Sequence, residues 1–403
     1  MLSKLSLPHG ELTFPAFLPD ATRGVVRSID SKDLENCGVQ AVVMNAFHLM
    51  QKPGSTTVKA LGGLHAMTGW PHPIITDSGG FQAYSLIREN PKNGTLTDKG
   101  IVFRPENGKD KIVLTPEKSI QLQMGYGADI VICFDDCTHP EDNEANQLDS
   151  VRRTIAWAKR CKETFEQGRG MKGEGRRAWV EEQRAKGEGS EALSEDAPRL
   201  SPLASRPSTQ TRLFAVIQGG GSFELRKRCA EALLELGGFD GFGFGGWPLD
   251  SKGNLVEDIV QYTRELVPRE FPMHALGIGH PKNVVKCVHM GYEMFDCAMP
   301  TRDARHGRLY TFNDAPANLN LNDAKWFSYV YIEDDKHLKA NRPLSEHCDC
   351  LTCQRYSRGY LHHLFHIKDS LFLRLATIHN LRFMAQLVDR LRLVIDSPSK
   401  HSA

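Results

Sequence analysis

Two carboxylates in this sequence each end an apolar run at a point where chemistry could follow. Asp296 comes after the apolar residues 294–295 and precedes the basic Arg302, and Asp77 comes after residues 74–76 and precedes a glycine turn. A carboxylate at the end of a buried strand is costly unless it has a task or a partner. Two such carboxylates can divide a reaction, one as nucleophile and one as proton-transfer group. We therefore predict that Asp296 and Asp77 are catalytic.

Three cysteines lie within six residues and indicate a metal site. Cys348, Cys350 and Cys353 form a Cys-X-Cys-X-X-Cys pattern that needs one more ligand for a closed tetrahedral zinc site. The spacing leaves the fourth ligand open among four downstream histidines, at positions 362, 363, 366 and 379. A closed four-ligand site has no position for water, so we expect one structural Zn²⁺ per chain. This disfavours a zinc hydrolase.

The elements that would position these residues recur along the chain. Continuous apolar runs suit parallel strands buried on both faces. The candidate strands lie at residues 17–19, 41–44, 74–76, 130–134, 213–217, 241–244, 274–278 and 294–295. About eight such β/α units predict an α/β fold, a (β/α)8 TIM barrel, with a doubly wound open sheet as the alternative.

A barrel makes a prediction about where functional residues lie, because they gather at the carboxyl ends of its strands. Polar residues or glycines do follow five of the apolar runs. They are Asp77, Asp135, Asp136, Gln218, Gly245, Gly246 and Asp296. Helix starts are also legible between the runs, at Ser31, at Thr115 before Pro116, and at Ser222.

The chain is predicted to contain two domains. Residues 1–340 are predicted to form the catalytic barrel, and residues 341–403 a zinc-binding subdomain with C-terminal helices. Within the barrel, residues 166–210 are rich in Gly, Glu, Arg, Ser and Pro and predict a flexible insertion, with a possible short helix at about 176–186.

Bulk composition excludes some classes of protein. Among the 403 residues no apolar run approaches the roughly 20 of a membrane helix, and the first residues lack the apolar core of a secretory signal. Most of the ten cysteines are scattered singly, which argues against a disulfide framework and favours a cytoplasmic setting. The net charge of +1 does not itself indicate nucleic acid, and the basic cluster at residues 152–160 is best interpreted as a solvated helix face.

Six motifs in order resemble one known family, the tRNA-guanine transglycosylases (queuine tRNA-ribosyltransferases), in their catalytic-subunit type. The matching motifs are at residues 76–82, 134–138, 217–220, 295–302, 348–353 and 360–364. The resemblance runs from about residue 18 to about residue 393, interrupted by the insertion. It implies a barrel with a zinc subdomain, and a pentosyltransferase that replaces guanine at the wobble position (34) of tRNA with a 7-deazaguanine base.

The resemblance also implies roles for single residues. Asp296 would attack C1′ of the ribose to form a covalent intermediate, and Asp77 would act as general acid/base. Phe81 would stack on the base with Leu276 on its other face. The implied substrate-binding set is Asp77, Ser78, Gly79, Gly80, Phe81, Asp135, Gln218, Gly246, Trp247 and Leu276. The implied tRNA-binding set is Gly277, Gly279, Lys282, Thr301, Arg302 and Arg305, and the implied fourth zinc ligand is His379.

One loop departs from the family pattern. Trp247 and Pro248 stand where bacterial members commonly carry Leu-Ala and eukaryotic catalytic subunits Leu-Ser. A tryptophan and a proline change the volume of the pocket and remove a backbone donor, so the incoming base could be preQ1, queuine or another 7-deazapurine.

The resemblance implies partners as well: tRNA with a GUN anticodon, and either a second copy or a paralogous subunit in a dimer. Two other interpretations stay open. One is a non-catalytic accessory subunit, disfavoured because Asp77 and Asp296 are both present. The other is a family member that acts on DNA or another RNA.

Overall fold

A single parallel sheet forms the centre of the protein. The computed structural model describes residues 2–104, 111–139, 141–170 and 210–396. Eight strands of these residues join in one sheet: Ala16–Pro19, Val42–Asn45, Ile74–Asp77, Ile130–Ile132, Arg212–Ile217, Gly241–Phe244, Met273–Ala275 and Met294–Cys297. All eight fall on the runs expected from the sequence.

The order of the strands closes the sheet almost completely. Neighbours in the sheet follow one another along the chain, and the first strand pairs in parallel with the last, with Phe17 opposite Phe295. A further bridge joins Asp20 to Val43, so the first strand also meets the second. The fold is therefore the predicted (β/α)8-type barrel, and the open-sheet alternative is wrong.

Both faces of the strands are buried, which explains the continuous apolar runs. Leu18, Val43 and Ile75 point into the barrel and belong to its interior cluster. Their neighbours Phe17 and Val42 point outward into a second cluster, shared with the surrounding helices. At the amino ends of the strands, a hairpin adds apolar side chains to the interior cluster. Its two strands are Lys4–Leu7 and Gly10–Thr13.

The α-helices lie between the strands and after them. Their bounds are Ser31–Asn36, Ala46–Leu49, Ser55–Ala60, Leu64–Thr68, Gly80–Glu89, Pro116–Tyr126, Glu144–Gly170, Phe223–Leu236, Glu257–Glu265, Pro281–Met290, Met299–Arg305, Leu351–Arg355, Arg358–His366 and Ser370–Asp396. Smaller antiparallel sheets add Gly94–Thr97, Gly100–Phe103 and Ile112–Leu114, and a hairpin of Arg308–Phe312 with Phe327–Tyr331.

The helix starts lie where the sequence placed them. Thr115 accepts from the Lys118 backbone N–H, with Pro116 in the first turn. Ser222 accepts in the same way from Leu225. These side-chain oxygens satisfy backbone donors that a helix terminus leaves unpaired.

The predicted insertion begins on a helix. The helix Glu144–Gly170 runs through residues 166–170, and Trp157 and Phe165 anchor it in the core. Nearly all of the rest of the insertion, including the possible helix at about 176–186, lies outside the described residues.

The C-terminal helix packs directly on the barrel. Arg374 donates to both carboxylate oxygens of Asp33, at 2.8 and 2.6 Å. Arg382 donates to the backbone carbonyl of Cys37 at 3.3 Å. The division at residue 340 stays a prediction. Among the described helices, none is long and apolar enough to cross a membrane.

Candidate active site and metal centre

Four carboxylates, Asp20, Asp77, Asp135 and Asp296, gather at the carboxyl ends of the barrel strands. The pKa of Asp77 is raised to about 8, first because burial removes water from the carboxylate and then because the charges of Asp296, Asp20 and Asp135 lie close to it. The barrel thus brings the two predicted catalytic residues into one electrostatic environment. A carboxyl group with this pKa carries a proton at neutral pH, as a general acid must.

Asn45 positions Asp77. Its Nδ2 donates to Asp77 Oδ1 at 2.5 Å, and its Oδ1 accepts from the His48 backbone N–H to begin the helix Ala46–Leu49. A simple alternative role for Asp77, capping the helix Gly80–Glu89, is excluded, because Gly79 occupies the cap position.

Asp296 is held from the neighbouring strand and the loop after it. The Gly277 backbone N–H donates to Asp296 Oδ1 at 3.1 Å. His274 Nε2 lies 2.9 Å from the same oxygen, within ion-pair distance although the ring is not aligned for a hydrogen bond. Gly277 has φ +75°, a conformation that favours glycine. Gly277, which is predicted to bind tRNA, thus also contacts Asp296 directly.

Asp20 is a carboxylate that the sequence analysis missed. It accepts from both the backbone N–H and the hydroxyl of Thr22. Burial and then the charge of Asp296 raise its pKa, and the hydrogen bonds from Thr22 and the charge of Arg27 oppose the shift. The signal was present in the sequence, since Asp20 directly follows the apolar run 17–19, just as Asp77 follows its own run.

Asp135, Ser78 and Gln218 form a hydrogen-bonded group beside the carboxylates. Gln218 Nε2 donates to Asp135 Oδ2 at 2.7 Å, and the Ser78 hydroxyl donates to Asp135 Oδ1 at 3.3 Å. Burial raises the pKa of Asp135 to about 6, with a further contribution from Asp136. Gln218 Oε1 is buried and has no partner in the described part of the chain, so it is an acceptor that a donor on a ligand would satisfy.

Glycines let the backbone approach this group closely. A Cβ on Gly80 would lie 2.5 Å from the Asp135 carbonyl oxygen, and one on Gly245 would lie 2.5 Å from Gln218 Nε2. Gly246 has φ +90°, and its Cβ would meet Gln218 Oε1 at 3.4 Å. Any side chain at Gly80 or Gly245 would displace the Asp135 and Gln218 side chains.

Two exposed aromatic rings face each other at the mouth of the site. Phe81 is 44% exposed and Trp247 is 37% exposed, and their rings are parallel to within 16° with centroids 6.0 Å apart. A planar base between two rings needs about 7 Å, twice the carbon–carbon contact distance, so the two rings as they lie leave no room for a base between them. Leu276 is half-buried and packs against the barrel interior.

The remaining predicted tRNA contacts differ in exposure. Lys282 and Arg302 are exposed. Arg305 is half-buried near Arg27 and Asp20, and its Nη1 has no partner among the described residues. Two others are buried: the Thr301 hydroxyl donates to the Ala298 carbonyl, and Gly279 packs against Cys297.

The cysteine cluster closes around one histidine. One ligand atom each from Cys348, Cys350, Cys353 and His379 lies within 4.8 Å of the others. His379 Nδ1 is 3.3 Å from Cys353 Sγ and 3.6 Å from Cys350 Sγ. The other ring nitrogen, Nε2, lies 2.7 Å from the Tyr310 carbonyl oxygen, which orients the ring so that Nδ1 faces the thiols.

This donor set fits zinc. Three sulfurs and one imidazole nitrogen match a structural tetrahedral site, and together they fill its four positions. The geometry thereby selects His379 from the four histidines that spacing alone left open. The next residue, Asn380, donates to the Pro300 carbonyl and accepts from the Tyr310 N–H, so the metal centre adjoins the segment that follows Asp296.

Comparison with known proteins decides the family. The family model described as queuine tRNA-ribosyltransferase matches residues 2–400. The chain belongs to the queuine tRNA-ribosyltransferase family. It is 34% identical over 393 residues to a protein of that name from Francisella tularensis subsp. novicida, covering 98% of this chain and 91% of the relative. It is also 34% identical over 391 residues to a protein of the same name from Methylacidiphilum infernorum, covering 97% and 90%.

Membership in the queuine tRNA-ribosyltransferase family confirms the resemblance found in the motifs and makes the chain a transferase. The roles of individual side chains rest on the geometry above. Asn45 and His274 were also missed, because a single polar residue at the edge of an apolar run resembles an ordinary buried polar group.

Proposed function

We propose that this chain exchanges guanine at the wobble position of tRNA with a GUN anticodon for a 7-deazaguanine base, through a covalent bond between Asp296 and the ribose. The observation that carries the proposal is the contrast between two neighbouring carboxylates. Asp77 has a pKa raised to about 8, whereas Asp296 accepts from the Gly277 N–H and lies beside His274. Two neighbouring carboxylates in such different environments can act as a general acid and a nucleophile.

The first half of the reaction breaks the bond between guanine and ribose. An Asp296 oxygen attacks C1′, the C1′–N9 bond breaks, and its electron pair goes to N9 of guanine, which takes the proton of Asp77. The product is a ribosyl ester of Asp296, with guanine released. This first displacement inverts the configuration at C1′, and a second displacement at the same carbon restores it, as in retaining glycosidases.

The second half reverses these roles. The incoming 7-deazaguanine gives its N9 proton to Asp77, attacks C1′ and displaces the Asp296 carboxylate. Protons and charges balance over the two steps, since Asp77 returns to its protonated form and Asp296 to its ionised form. The zinc that the Cys348–His379 cluster would hold has four protein ligands and no open position, so it would stabilise the fold and not bind the substrate.

Recognition of the base is assigned to the buried polar group. A flipped purine placed against Phe81 would present its hydrogen-bonding edge to Asp135, Gln218 and the Gly246 backbone. The unpartnered Gln218 Oε1 supports this assignment, because a buried acceptor without a donor is unfavourable until a ligand arrives. The exposed Lys282 and Arg302, with Arg305, would contact tRNA phosphates.

The incoming base is proposed to be queuine or preQ1, with Trp247 next to its 7-substituent. The wider setting is also a proposal: a cytoplasmic enzyme, consistent with ten unpaired cysteines, that forms a dimer with a second copy or with a paralogous subunit. Sedimentation of the chain alone would separate the homodimer from a monomer that needs a partner.

The test is exchange of labelled guanine into unmodified tRNA, followed by isolation of the covalent adduct on a denaturing gel. Wild type should incorporate label and form the adduct, and Asp296→Asn should do neither while still binding tRNA. An adduct with Asp296→Asn would refute the nucleophile. A folded, zinc-loaded chain that exchanges no guanine in tRNA but does so in another nucleic acid would overturn the substrate.

A further inference from the structure

A second group of possible metal ligands lies in the C-terminal part of the protein, apart from the cysteine cluster. His362 and His366 are one turn apart on the helix Arg358–His366, and their ring centroids are 4.2 Å apart. Residues four apart on a helix share one face, and two histidines with this spacing are a common chelating pair. Asp335, at the start of the short helix Asp335–His337, completes the group with Oδ1 3.9 Å from His362 Nε2.

The most informative member is His362. It is only 4% exposed, and neither of its ring nitrogens has a hydrogen-bond partner in the described part of the chain. Buried polar atoms are nearly always partnered, and leaving two unpaired on one ring is costly. Close by, His337 also has a buried Nε2 without a partner among the described residues. Unsatisfied imidazole nitrogens beside a carboxylate point to a ligand that accepts lone pairs, which is a cation.

We propose that His362, His366 and Asp335 bind a second divalent transition-metal ion, such as Zn²⁺. One ligand atom from each of the three lies within 4.8 Å of the others. Imidazole nitrogens select zinc, copper or nickel over Mg²⁺ and Ca²⁺, which prefer oxygen ligands. Three protein ligands leave a further position for water, unlike the closed cysteine site.

The surroundings suit such an ion. His366 Nε2 lies 3.3 Å from the Glu333 carbonyl oxygen, the kind of contact that orients a metal-binding imidazole. The Asp335 side chain is 96% exposed, so it can rotate the short distance needed to reach an ion held by the two rings. The bound ion would join the turn at residues 333–337 to the helix Arg358–His366 and so stiffen this end of the subdomain.

Cobalt distinguishes this site from the cysteine cluster. Co²⁺ bound by thiolates shows a sulfur-to-cobalt charge-transfer band, whereas Co²⁺ bound by nitrogen and oxygen ligands shows only d–d bands. We would measure total metal per chain and both sets of bands in the full-length protein, for wild type, His366→Gln and His362→Gln. The matched control is His363→Gln, the adjacent and exposed histidine of the same helix.

The proposal expects two ions per chain in wild type and in His363→Gln. His366→Gln should lose one ion, keep the sulfur-to-cobalt band, and lose the rise in Tm that excess Zn²⁺ gives the wild type. Since His366 is exposed, this variant should fold even if His362→Gln does not. One ion per chain in wild type, or two in His366→Gln, would overturn the proposal. His9, His65 and Asp129 form a third group of possible ligands, so His65→Gln is measured as well. Loss of the second ion in His65→Gln and not in His366→Gln would also overturn the proposal.

Discussion

Asn45 and Asp77 are register partners on adjacent parallel strands, and the amide of Asn45 donates a hydrogen bond to the Asp77 carboxylate. This bond favours the ionised form of Asp77, while burial and three nearby carboxylates favour the protonated form. The balance leaves the pKa at about 8, where the group can both give and take a proton near neutral pH. We therefore expect Asn45 to orient Asp77 and to affect its proton transfer.

Replacing Asn45 should move the pH profile. Asn45→Ala removes the donor that lowers the pKa of Asp77, so the pKa should rise above about 8. Because Asp77 must be protonated to release guanine, the alkaline limb of kcat/KM for tRNA should shift to higher pH. Asn45→Ser is the control for the lost helix cap, since it keeps a capping oxygen. An unchanged alkaline limb in both variants would show that Asn45 does not tune Asp77.

Replacing Asp77 should stabilise the fold at alkaline pH. Its native pKa lies above the unfolded value of about 4, so the native state binds more protons, and the free energy of unfolding falls as pH rises from about 4 to about 8. Asp77→Asn removes this loss of stability. The difference in Tm between the variant and the wild type should therefore be more positive at pH 8.5 than at pH 5. A relief of about 1 kcal/mol would correspond to roughly 1 °C in a chain of this size. Equal differences at both pH values would contradict the burial of a protonated Asp77.

Two adjacent aspartates should give opposite phenotypes. Asp135 faces Gln218 and Ser78, whereas Asp136 forms an ion pair with Arg153. Asp135→Asn should raise KM for guanine about tenfold or more, by the roughly 1.4 kcal/mol that a lost hydrogen bond to a charged group costs. Asp136→Asn should lower Tm and leave KM unchanged. The assignment fails if guanine KM responds to Asp136 and not to Asp135.

Changing Trp247 should alter the choice of base. In Trp247→Leu the ring that lies parallel to Phe81 is replaced by a smaller aliphatic group, which opens space beside the base. We expect the ratio of kcat/KM for queuine and preQ1 to change at least several-fold, with guanine exchange less affected. Competition assays with labelled guanine measure this ratio. Trp326 is buried in the cluster outside the barrel strands, so Trp326→Leu controls for general damage. An unchanged ratio would show that Trp247 does not line the pocket for the base.

Loss of one thiol should release the zinc and destabilise the protein. Cys350→Ser should drop the metal of the Cys348–His379 cluster and lower the free energy of unfolding by about 4 kcal/mol or more, as loss of a structural metal does. Cys287 is a buried cysteine outside the cluster, so the control variant Cys287→Ser should retain the zinc of the cluster. Metal analysis and thermal melts decide the matter, and full zinc occupancy in Cys350→Ser would contradict the ligand set.

The fold could be predicted from the sequence because each barrel strand is a continuous apolar run, and such a run is recognisable without knowledge of the tertiary structure. Asp77 and Asp296 could be predicted as catalytic residues for the same reason, since each ends such a run. Asn45 and His274 could not be assigned in this way, because their importance comes from strand register. Only the closed sheet places Asn45 opposite Asp77, and His274 beside the carboxylate of Asp296.

The zinc cluster illustrates a related limit. Cys348, Cys350 and Cys353 are close in sequence, so spacing alone reveals them. His379 is 26 residues beyond Cys353, and its selection depends on how the helix Ser370–Asp396 packs. The orientation of its ring depends on Tyr310, 69 residues away, which no local pattern encodes.

The position of the last described helix has a consequence for synthesis. Pro300 and Tyr310 receive their contacts from Asn380, and Asp33 receives its own from Arg374. A ribosome makes residues in order, at about 5–20 per second, so Arg374 and Asn380 emerge after all eight barrel strands. The segment behind Asp296 therefore lacks these contacts until the helix Ser370–Asp396 has emerged, so we expect the pocket and the cysteine cluster to reach their final arrangement together, in one late folding step.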